Sequence, residues 1–376
     1  MSAALAAARA VDYRRPRGTW RGGRVAEGGG LLNRYTAQKL YRGFESLPLR
    51  KFSNSSRRLL AATACVVALA SPACSLEARC NRGDGISCGV LGDRTHMADP
   101  ARACQFYRKG CAADNIAACV SLGALLGQQK CQGPPGEART VLQRACDGGE
   151  APGCNNLAML FRDGADGVAR DRDQAIALFR RACPRAAIAC DNLGALLIDT
   201  DEAGATAAFQ MGCASETKNQ AQAGCCYKLG LSYSNGWGVA VDRDKARSLY
   251  QVACTAKVGG GCYGMGLLEL DGAGGEPVQA ANHFRQGCEM GVAPACNNLG
   301  LMYAEGRGVD ADSRKALEYL ERGCDGGELR ACANVGSRYF LGEGAPLDAA
   351  KGRALLRKAC DGGVSEACAL PIPSKH

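Results

Sequence analysis

The chain has 376 residues, of which 23 are cysteine and 50 are glycine, and its formal net charge is +9. Hydrophobic residues make up 47% of the sequence and aromatic residues only 6%. The first value excludes a largely disordered chain, and the second indicates a core of small and aliphatic side chains, which suits helix packing better than a β-sandwich. Cysteine at about one residue in 16 is typical of disulfide-bonded proteins from an oxidising compartment.

The positive charge is confined to the N-terminal part of the chain. Residues 1–73 have a net charge of +10, whereas residues 74–376 have a net charge of −1. This basic stretch is expected to be a leader that is cleaved or never translated, so the net charge is no evidence for phosphate binding by the rest of the chain. We therefore expect no nucleic-acid partner.

Residues 51–73 are typical of a secretory signal peptide. A basic stretch precedes a 12-residue apolar run at 59–70, which is too short to span a bilayer. The following Ala73-Cys74 resembles the end of a bacterial lipobox, so Cys74 is a candidate lipid anchor, and cleavage by ordinary signal peptidase is the alternative. The expected location is the periplasm, the outer membrane or the extracellular space, with membrane contact only through that lipid.

Residues 1–50 do not fit in front of a signal peptide, whose basic region is normally short. Segments such as Gly-Phe-Glu-Ser at 43–46 look like a transfer-RNA gene translated as protein. We expect translation to begin near residues 47–51, which would make 1–50 a non-native leader. A genuine N-terminal extension is the alternative, and the underlying DNA distinguishes the two.

Beyond residue 80 the cysteines form a repeating pattern. Nine pairs follow one another, seven of them with seven intervening residues, and successive pairs begin 30 to 41 residues apart. A period of this length indicates a solenoid of stacked units rather than two or three globular domains. The pairs are Cys80/Cys88, Cys111/Cys119, Cys146/Cys154, Cys183/Cys190, Cys213/Cys226, Cys254/Cys262, Cys288/Cys296, Cys324/Cys332 and Cys360/Cys368.

Each period is predicted to contain two helices joined by a glycine turn. In 154–183, apolar side chains at 175, 178, 179 and 182 have the i, i+3, i+4, i+7 spacing of an amphipathic helix. Asp171 precedes this helix and is expected to cap its N terminus. Gly164 and Gly167 end the helix before it.

The run Leu-Gly-x-x-Tyr-x-x-Gly-x-Gly-Val, followed by Asp and Lys-Ala, resembles the Sel1-like repeat (SLR), a relative of the tetratricopeptide repeats. The first and fourth windows of this kind are short and lack the Gly-x-Gly-Val turn, and the second is interrupted by Cys131 and two prolines. The resemblance implies an all-α fold: a right-handed αα-hairpin solenoid of about eight repeats at 88–368, stapled by disulfides, with a cap at 74–87 and a tail at 369–376. The windows begin at Cys88, Cys119, Cys154, Cys190, Cys226, Cys262, Cys296 and Cys332.

A disulfide is possible within each pair because the chain reverses between its cysteines. In 146–154, Gly148 or Gly149 can adopt the left-handed helix C-cap and Pro152 can begin the next helix. We expect all nine pairs to be bridged. The other three cysteines of this region are Cys104 and Cys131, expected to form a further bridge, and Cys225, expected to be a free thiol unless it replaces Cys226 as the partner of Cys213.

Catalytic and metal-binding groups are sparse. Ser215 and Lys218 match the Ser-x-x-Lys of serine β-lactamases, but the sequence has neither the Ser-Asp-Asn nor the Lys-Thr-Gly motif. The resemblance still implies a β-lactamase or penicillin-binding hydrolase as the alternative function, because the cysteine-rich secreted SLR branch is often described so, and a nitrocefin assay tests it. Cysteine gaps of seven do not suit zinc, and His96, His283 and His376 lack companions at ligand spacing, so no cofactor is expected.

Binding is the remaining class of function. In tetratricopeptide-like stacks, residues one and five positions after the opening cysteine of each repeat face a concave groove, and this analogy predicts a monomeric scaffold for a protein, peptide or glycan partner. For Asn297 and Asn298, hydrogen bonding within the stack is the alternative, whereas Leu299, Gly300 and Tyr303 are expected in the core. The candidate binding face comprises Asn155, Met159, Asp191, Tyr227, Tyr263, Asn297 and Leu301.

Overall fold

A computed structural model describes residues 75–216, 219–271 and 275–369. These residues form eighteen α-helices and no β-strand. The expected signal peptide, Cys74 and most of the C-terminal tail lie outside the described residues. The helices are α1 Leu76–Asn81, α2 Gly85–Thr95, α3 Pro100–Ala112, α4 Ile116–Gly127, α5 Glu137–Asp147, α6 Ala151–Asp163, α7 Arg172–Ala182, α8 Ala187–Leu197, α9 Glu202–Cys213, α10 Gln220–Asn235, α11 Arg243–Thr255, α12 Gly259–Asp271, α13 Pro277–Glu289, α14 Ala293–Glu305, α15 Ser313–Asp325, α16 Leu329–Leu341, α17 Ala349–Asp361 and α18 Ser365–Cys368.

Helices α2 to α17 form eight consecutive hairpins, which we number repeats 1 to 8. The first helix of each repeat is its A helix and the second its B helix. Each A helix packs against its own B helix, and each B helix packs against the A helix of the next repeat. The short helices α1 and α18 lie before the first repeat and after the last. The prediction of an all-α solenoid of about eight hairpin repeats is therefore confirmed.

The glycine of the Leu-Gly motif allows the two helices of a repeat to approach closely. In repeat 7, a Cβ on Gly300 would lie 2.7 Å from Cγ of Leu320, and in repeat 5 a Cβ on Gly230 would lie 2.6 Å from the Tyr250 ring. Each B helix thus packs one large side chain over a small residue of its A helix. Burying such a side chain contributes about 1.5–3 kcal/mol to the free energy of folding. These nearly inaccessible side chains are Tyr107, Leu142, Phe179, Phe209, Tyr250, Phe284, Leu320 and Leu356.

The Gly-x-Gly turn between the two helices of a repeat also contacts the preceding repeat. Gly306 and Gly308 both have positive φ, +66° and +73°. A Cβ on Gly308 would overlap with the carbonyl of Pro277, where the B helix of repeat 6 begins. After the turn, the Asp312 side chain accepts a bond from the Lys315 N–H, and its own N–H donates to Tyr303 O at 2.9 Å. The motif therefore joins the two helices of its own repeat and also packs against the preceding repeat.

Consecutive repeats are joined by tight reversals. After Cys146, Gly149 adopts φ +86°, and the N–H of Glu150 donates to the carbonyl of Ala145 at 3.1 Å, as in a Schellman cap. Gly148 has φ −69°, so the left-handed position is Gly149. A residue with positive φ recurs three positions after the first cysteine in all seven bridges that have a sequence separation of 8. These residues are Gly83, Asp114, Gly149, Lys257, Gly291, Gly327 and Gly363.

Ten disulfides cross-link the described residues, with the pairing that the spacing predicts. Nine join the end of one B helix, or of α1, to the start of the following helix, with Cα–Cα distances of 4.4 to 4.9 Å. The tenth, Cys104–Cys131, joins the B helix of repeat 1 to the irregular loop of repeat 2. Cys225 is a buried free thiol.

The loop 128–136 replaces the Gly-x-Gly turn in repeat 2. Besides the Cys104–Cys131 bridge, Arg108 holds it by donating to the Gln132 carbonyl within the loop and, at 2.7 and 2.8 Å, to both carboxylate oxygens of Glu137 directly after it. Asp166 of repeat 3 accepts from the N–H of Ala138 at 2.9 Å and so caps the following B helix from the neighbouring repeat. The loop of repeat 2 thus lacks the Gly-x-Gly turn but is held to repeats 1 and 3 by a disulfide and hydrogen bonds.

Candidate functional site

Asparagines on the predicted binding face connect neighbouring A helices. Oδ1 of Asn155 accepts from Asn192 Nδ2 of the next repeat, and Oδ1 of Asn297 accepts from Asn334 Nδ2, both at 2.9 Å. Nδ2 of Asn297 donates in turn to Asn298. Asn155 and Asn297 are 5% and 7% exposed. The amide of Asn297 is thus engaged within the stack, as in the alternative given for Asn297 and Asn298, and the amide of Asn155 is engaged in the same way.

Asp191 also bonds to the next repeat. Its carboxylate lies 2.6 Å from Nζ of Lys228, and both side chains are less than one-fifth exposed. Lys228 lies in addition over the Phe209 ring, 5.6 Å from the centroid. The pair occupies the same relative positions as the asparagines, so equivalent polar bonds join repeats 3 to 4, 4 to 5 and 7 to 8, and we call these bonds the polar ladder.

Tyr227 and Tyr263 are half-buried and lie against aromatic rings of their own B helices. The ring centroids of Tyr227 and Tyr250 are 6.0 Å apart, and those of Tyr263 and Phe284 are 5.9 Å apart. Burial raises the pKa of Tyr227 to about 12. The Tyr227 phenol therefore stays neutral over the physiological range.

A row of half-buried apolar side chains runs beside the ladder. Met159 and Leu301 are the two members that the sequence predicts, and the repeat register adds Leu231 and Leu267. All four are five residues after an opening cysteine and retain part of their surface. We call the ladder and this row together the A-helix face.

A buried acid–histidine pair lies in repeat 6. Nδ1 of His283 is 2.8 Å from Oε2 of Glu269, whose side chain is 2% exposed. The equivalent positions of repeat 7 are Tyr303 and Tyr319, whose rings stack at 5.5 Å. The sequence offers His283 no companion at ligand spacing, and it is the packing of two helices that brings it to a carboxylate 14 residues away. Aligning the repeats would have revealed Glu269 at a tyrosine position.

The other predicted groups do not assemble into a catalytic or metal site. Ser215 lies between α9 and α10, whereas Lys218 is outside the described residues. Nδ1 of His96 lies 2.8 Å from a backbone carbonyl, that of Asp93. In the described ranges no three His, Cys, Asp or Glu side chains converge as metal ligands would. Nor is any described helix both long and apolar enough to cross a bilayer.

Cys225 fills a position that small residues occupy in the other repeats. It directly precedes the opening cysteine of its A helix, and its Sγ donates to Ala187 O at 3.4 Å. A Cβ on Gly212 would overlap with this sulfur, so glycine opposite makes room for it. Burial, with a smaller contribution from the Asp191 charge, raises the pKa of the thiol to about 12. The folded protein thus holds Cys225 as an unreactive core side chain.

A model of the Sel1 repeat matches six segments that together cover more than half of the chain: 83–115, 151–183, 223–258, 260–292, 293–328 and 329–364. The chain belongs to the Sel1 repeat family. The two hairpins between matched segments are repeats 2 and 4, which carry the irregular loop and the short turn. Sel1 repeats 1 to 8 thus form one continuous stack, although two of them have diverged from the family pattern.

The curated relatives that match are cytochrome c oxidase assembly factors. Cytochrome c oxidase assembly factor 7 of Danio rerio is 34% identical over 108 residues, which is 26% of this chain and 47% of the relative. The protein of the same name from Homo sapiens is 45% identical over 65 residues, 16% of this chain and 28% of the relative. The chain spans less than half the length of these relatives.

Solved Sel1 repeat structures share the fold. A protective antigen of uropathogenic Escherichia coli with an SLR fold, c5321, superposes with a TM-score of 0.64 at 21% identity, covering 78% of this chain and 65% of that one. A Sel1 repeat protein from Oxalobacter formigenes gives a TM-score of 0.62 at 21% identity and covers 86% and 96% of the two chains. Identity at this level supports the architecture of the stack and nothing more specific.

Proposed function

We propose that this chain is an exported binding scaffold that engages a protein, peptide or glycan partner of the cell envelope through its A-helix face. The observation that carries the proposal is the row of half-buried Met159, Leu231, Leu267 and Leu301 beside a polar ladder whose groups bond to one another. Such a surface offers apolar contact area without mobile charges. Partners of helical repeat proteins commonly bind along such an extended face.

Rigidity supports the same role. Each pair of consecutive repeats is locked by a disulfide, so little conformational freedom remains to be lost when a partner binds. Ten disulfides also support an oxidising environment. Export through residues 51–73, and a lipid on Cys74 or plain secretion, remain parts of the proposal that cell fractionation and mass measurement of the mature N terminus test.

The proposal is tested by capturing partners from the cell envelope with chemical cross-linking and the full chain as bait. Leu267→Lys places a charge in the apolar row and should abolish capture of a partner that the wild type retains. Val252→Lys is the matched control, because Val252 is an apolar residue of a B helix that is 49% exposed. Equal capture by both variants, with unchanged circular dichroism, would contradict binding at the A-helix face.

A second candidate is assistance in the assembly of a membrane-bound oxidase. The observation that favours it is the 34% identity over 108 residues to a cytochrome c oxidase assembly factor. Deleting the gene should then lower respiratory oxidase activity and leave β-lactam tolerance unchanged. Normal oxidase content in the deletion strain would contradict this candidate.

A further inference from the structure

Two of the ten disulfides do not join cysteines that are consecutive along the chain. Along the sequence, both cysteines of Cys111–Cys119 lie between Cys104 and its partner Cys131, and the free Cys225 lies between Cys213 and its partner Cys226. Each of the other eight bridges joins two cysteines with no further cysteine between them. The native connectivity therefore departs from nearest-neighbour pairing at two defined places.

An unfolded chain closes short loops more readily than long ones, because closure entropy rises with loop length. Cys111 is seven residues from Cys104 and eight from Cys119, so the two pairings are about equally favoured, within about 1.2-fold. For Cys104, closing the seven-residue separation to Cys111 is favoured about 8-fold over the native separation of 27 residues to Cys131. Oxidation before folding thus populates Cys104–Cys111, and the remaining Cys119 and Cys131 are left to pair.

The second place offers even less discrimination. Cys225 and Cys226 are 12 and 13 residues from Cys213, so loop closure distinguishes them by only about 1.1-fold. Only when helix α10 has formed and packed do the two cysteines differ in their distance from Cys213. Cys226 then faces Cys213, with a Cα–Cα distance of 4.7 Å, whereas Cys225 points about 100° away and contacts the carbonyl of Ala187.

We propose that this chain is a substrate of a thiol–disulfide isomerase, which it requires at the nested Cys104–Cys131 bridge and at the Cys225-Cys226 doublet. The inference concerns maturation and is independent of the partner proposed above. The enzyme is identified by its chemistry: a protein thiolate that opens a wrong disulfide and leaves again unchanged.

The exchanges balance without net oxidation. At the doublet, the isomerase thiolate attacks Sγ of Cys213 in a Cys213–Cys225 disulfide, a mixed disulfide forms, and Cys225 leaves as a thiolate that takes up a proton. The Cys226 thiolate then attacks Sγ of Cys213 in the mixed disulfide, the Cys213–Cys226 bond forms, and the enzyme thiolate is released. At the nested site, the isomerase thiolate forms a mixed disulfide with one of the wrong pairs. Successive exchanges then convert Cys104–Cys111 and Cys119–Cys131 into Cys104–Cys131 and Cys111–Cys119 and release the enzyme thiolate.

The folded structure keeps the corrected pairing. Cys225 is buried in the contact between Gly212 and α8, and burial raises the pKa of its thiol to about 12. A buried, protonated thiol is a poor nucleophile, so it does not attack the neighbouring Cys213–Cys226 bond. Exchange at the doublet therefore ends when the repeat packs.

The test is oxidative refolding of the reduced full chain, with the disulfides mapped by mass spectrometry of peptides fragmented between residues 225 and 226. With diamide alone, we expect similar amounts of Cys213–Cys225 and Cys213–Cys226 and an excess of Cys104–Cys111 over Cys104–Cys131. Protein disulfide isomerase in a glutathione buffer should convert both sites to the native pairs at least tenfold faster than the buffer alone. An equally native map with diamide alone would overturn the proposal.

Cysteine variants test whether the isomerase is required at these two sites in particular. The triple variant Cys104→Ala/Cys131→Ala/Cys225→Ala should reach its remaining nine bridges without the isomerase. The control Cys254→Ala/Cys262→Ala also loses a bridge but retains both ambiguous sites, so its dependence on the isomerase should persist. Persistent dependence in the triple variant would contradict the proposal. If that variant fails to fold, the acid-trapped early disulfides of the wild-type chain decide the question, because their pairing precedes folding.

Discussion

At the scale of single residues, Gly291 and Gly308 differ in what surrounds them. Both have positive φ, +83° and +73°. A Cβ on Gly291 would meet nothing within 4 Å, whereas a Cβ on Gly308 would overlap with the backbone of Pro277. Glycine is therefore needed at position 291 only for its left-handed backbone, whereas at position 308 it is needed both for that backbone and for the close contact with Pro277.

Gly291→Ala should lower the free energy of unfolding by about 1 kcal/mol, the cost of placing a side chain in the left-handed region. Gly308→Ala should lower it by about 3 kcal/mol or more, because repeats 6 and 7 must also move apart. Urea unfolding of the two variants measures the difference. Equal losses would show that the contact between the turn and Pro277 contributes nothing.

At the scale of elements, cationic side chains connect successive B helices. Arg181 in α7 donates to Cys146 O, at the end of α5, at 2.9 Å, and Arg322 in α15 donates to Cys288 O in α13. Each cation lies two residues before a bridging cysteine and satisfies a carbonyl at a helix C terminus, where the helix dipole favours positive charge. Repeats 4 and 5 have Met211 and Val252 at this position, and both are about half exposed.

Arg181→Ala should lower the free energy of unfolding by about 1 kcal/mol, because it removes a charge-assisted bond to a helix-terminal carbonyl. Arg180→Ala is the control, since Arg180 is the exposed neighbour on the same turn. Thermal unfolding at low and high salt measures both effects. A loss for Arg180→Ala as large as that for Arg181→Ala would assign the effect to net charge rather than to this bond.

The hairpin elements follow from local signals, whereas the polar ladder does not. Asp312 before a helix and Gly306 after one are recognisable in any single repeat, because capping depends on neighbours in the sequence. The partners of Asn155 and Asp191 lie 37 residues further along the chain. Their assignment to a ligand or to the stack depends on how two A helices are rotated against each other.

At the scale of the whole molecule, stability is distributed along a row of nearest-neighbour contacts. Removing a central bridge with Cys288→Ala/Cys296→Ala should cost about 2.5 kcal/mol in the chain-entropy model and divide the cooperative unit. Removing the terminal bridge with Cys360→Ala/Cys368→Ala should only loosen α17 and α18. Hydrogen exchange read by mass spectrometry separates the two, and identical protection patterns in both variants would contradict a nearest-neighbour solenoid.

The sequence by itself determined the period, the helix–turn–helix unit and the cysteine pairs other than that of Cys213, because each depends on residues less than one repeat apart. The tertiary structure alone decided that Asn297 bonds to Asn334, that Glu269 meets His283 in place of a tyrosine stack, and that Cys226 rather than Cys225 faces Cys213. The physical reason is common to all three. Rotating a helix by one residue, about 100°, exchanges a core position for a surface one, and only packing against neighbouring helices sets that rotation.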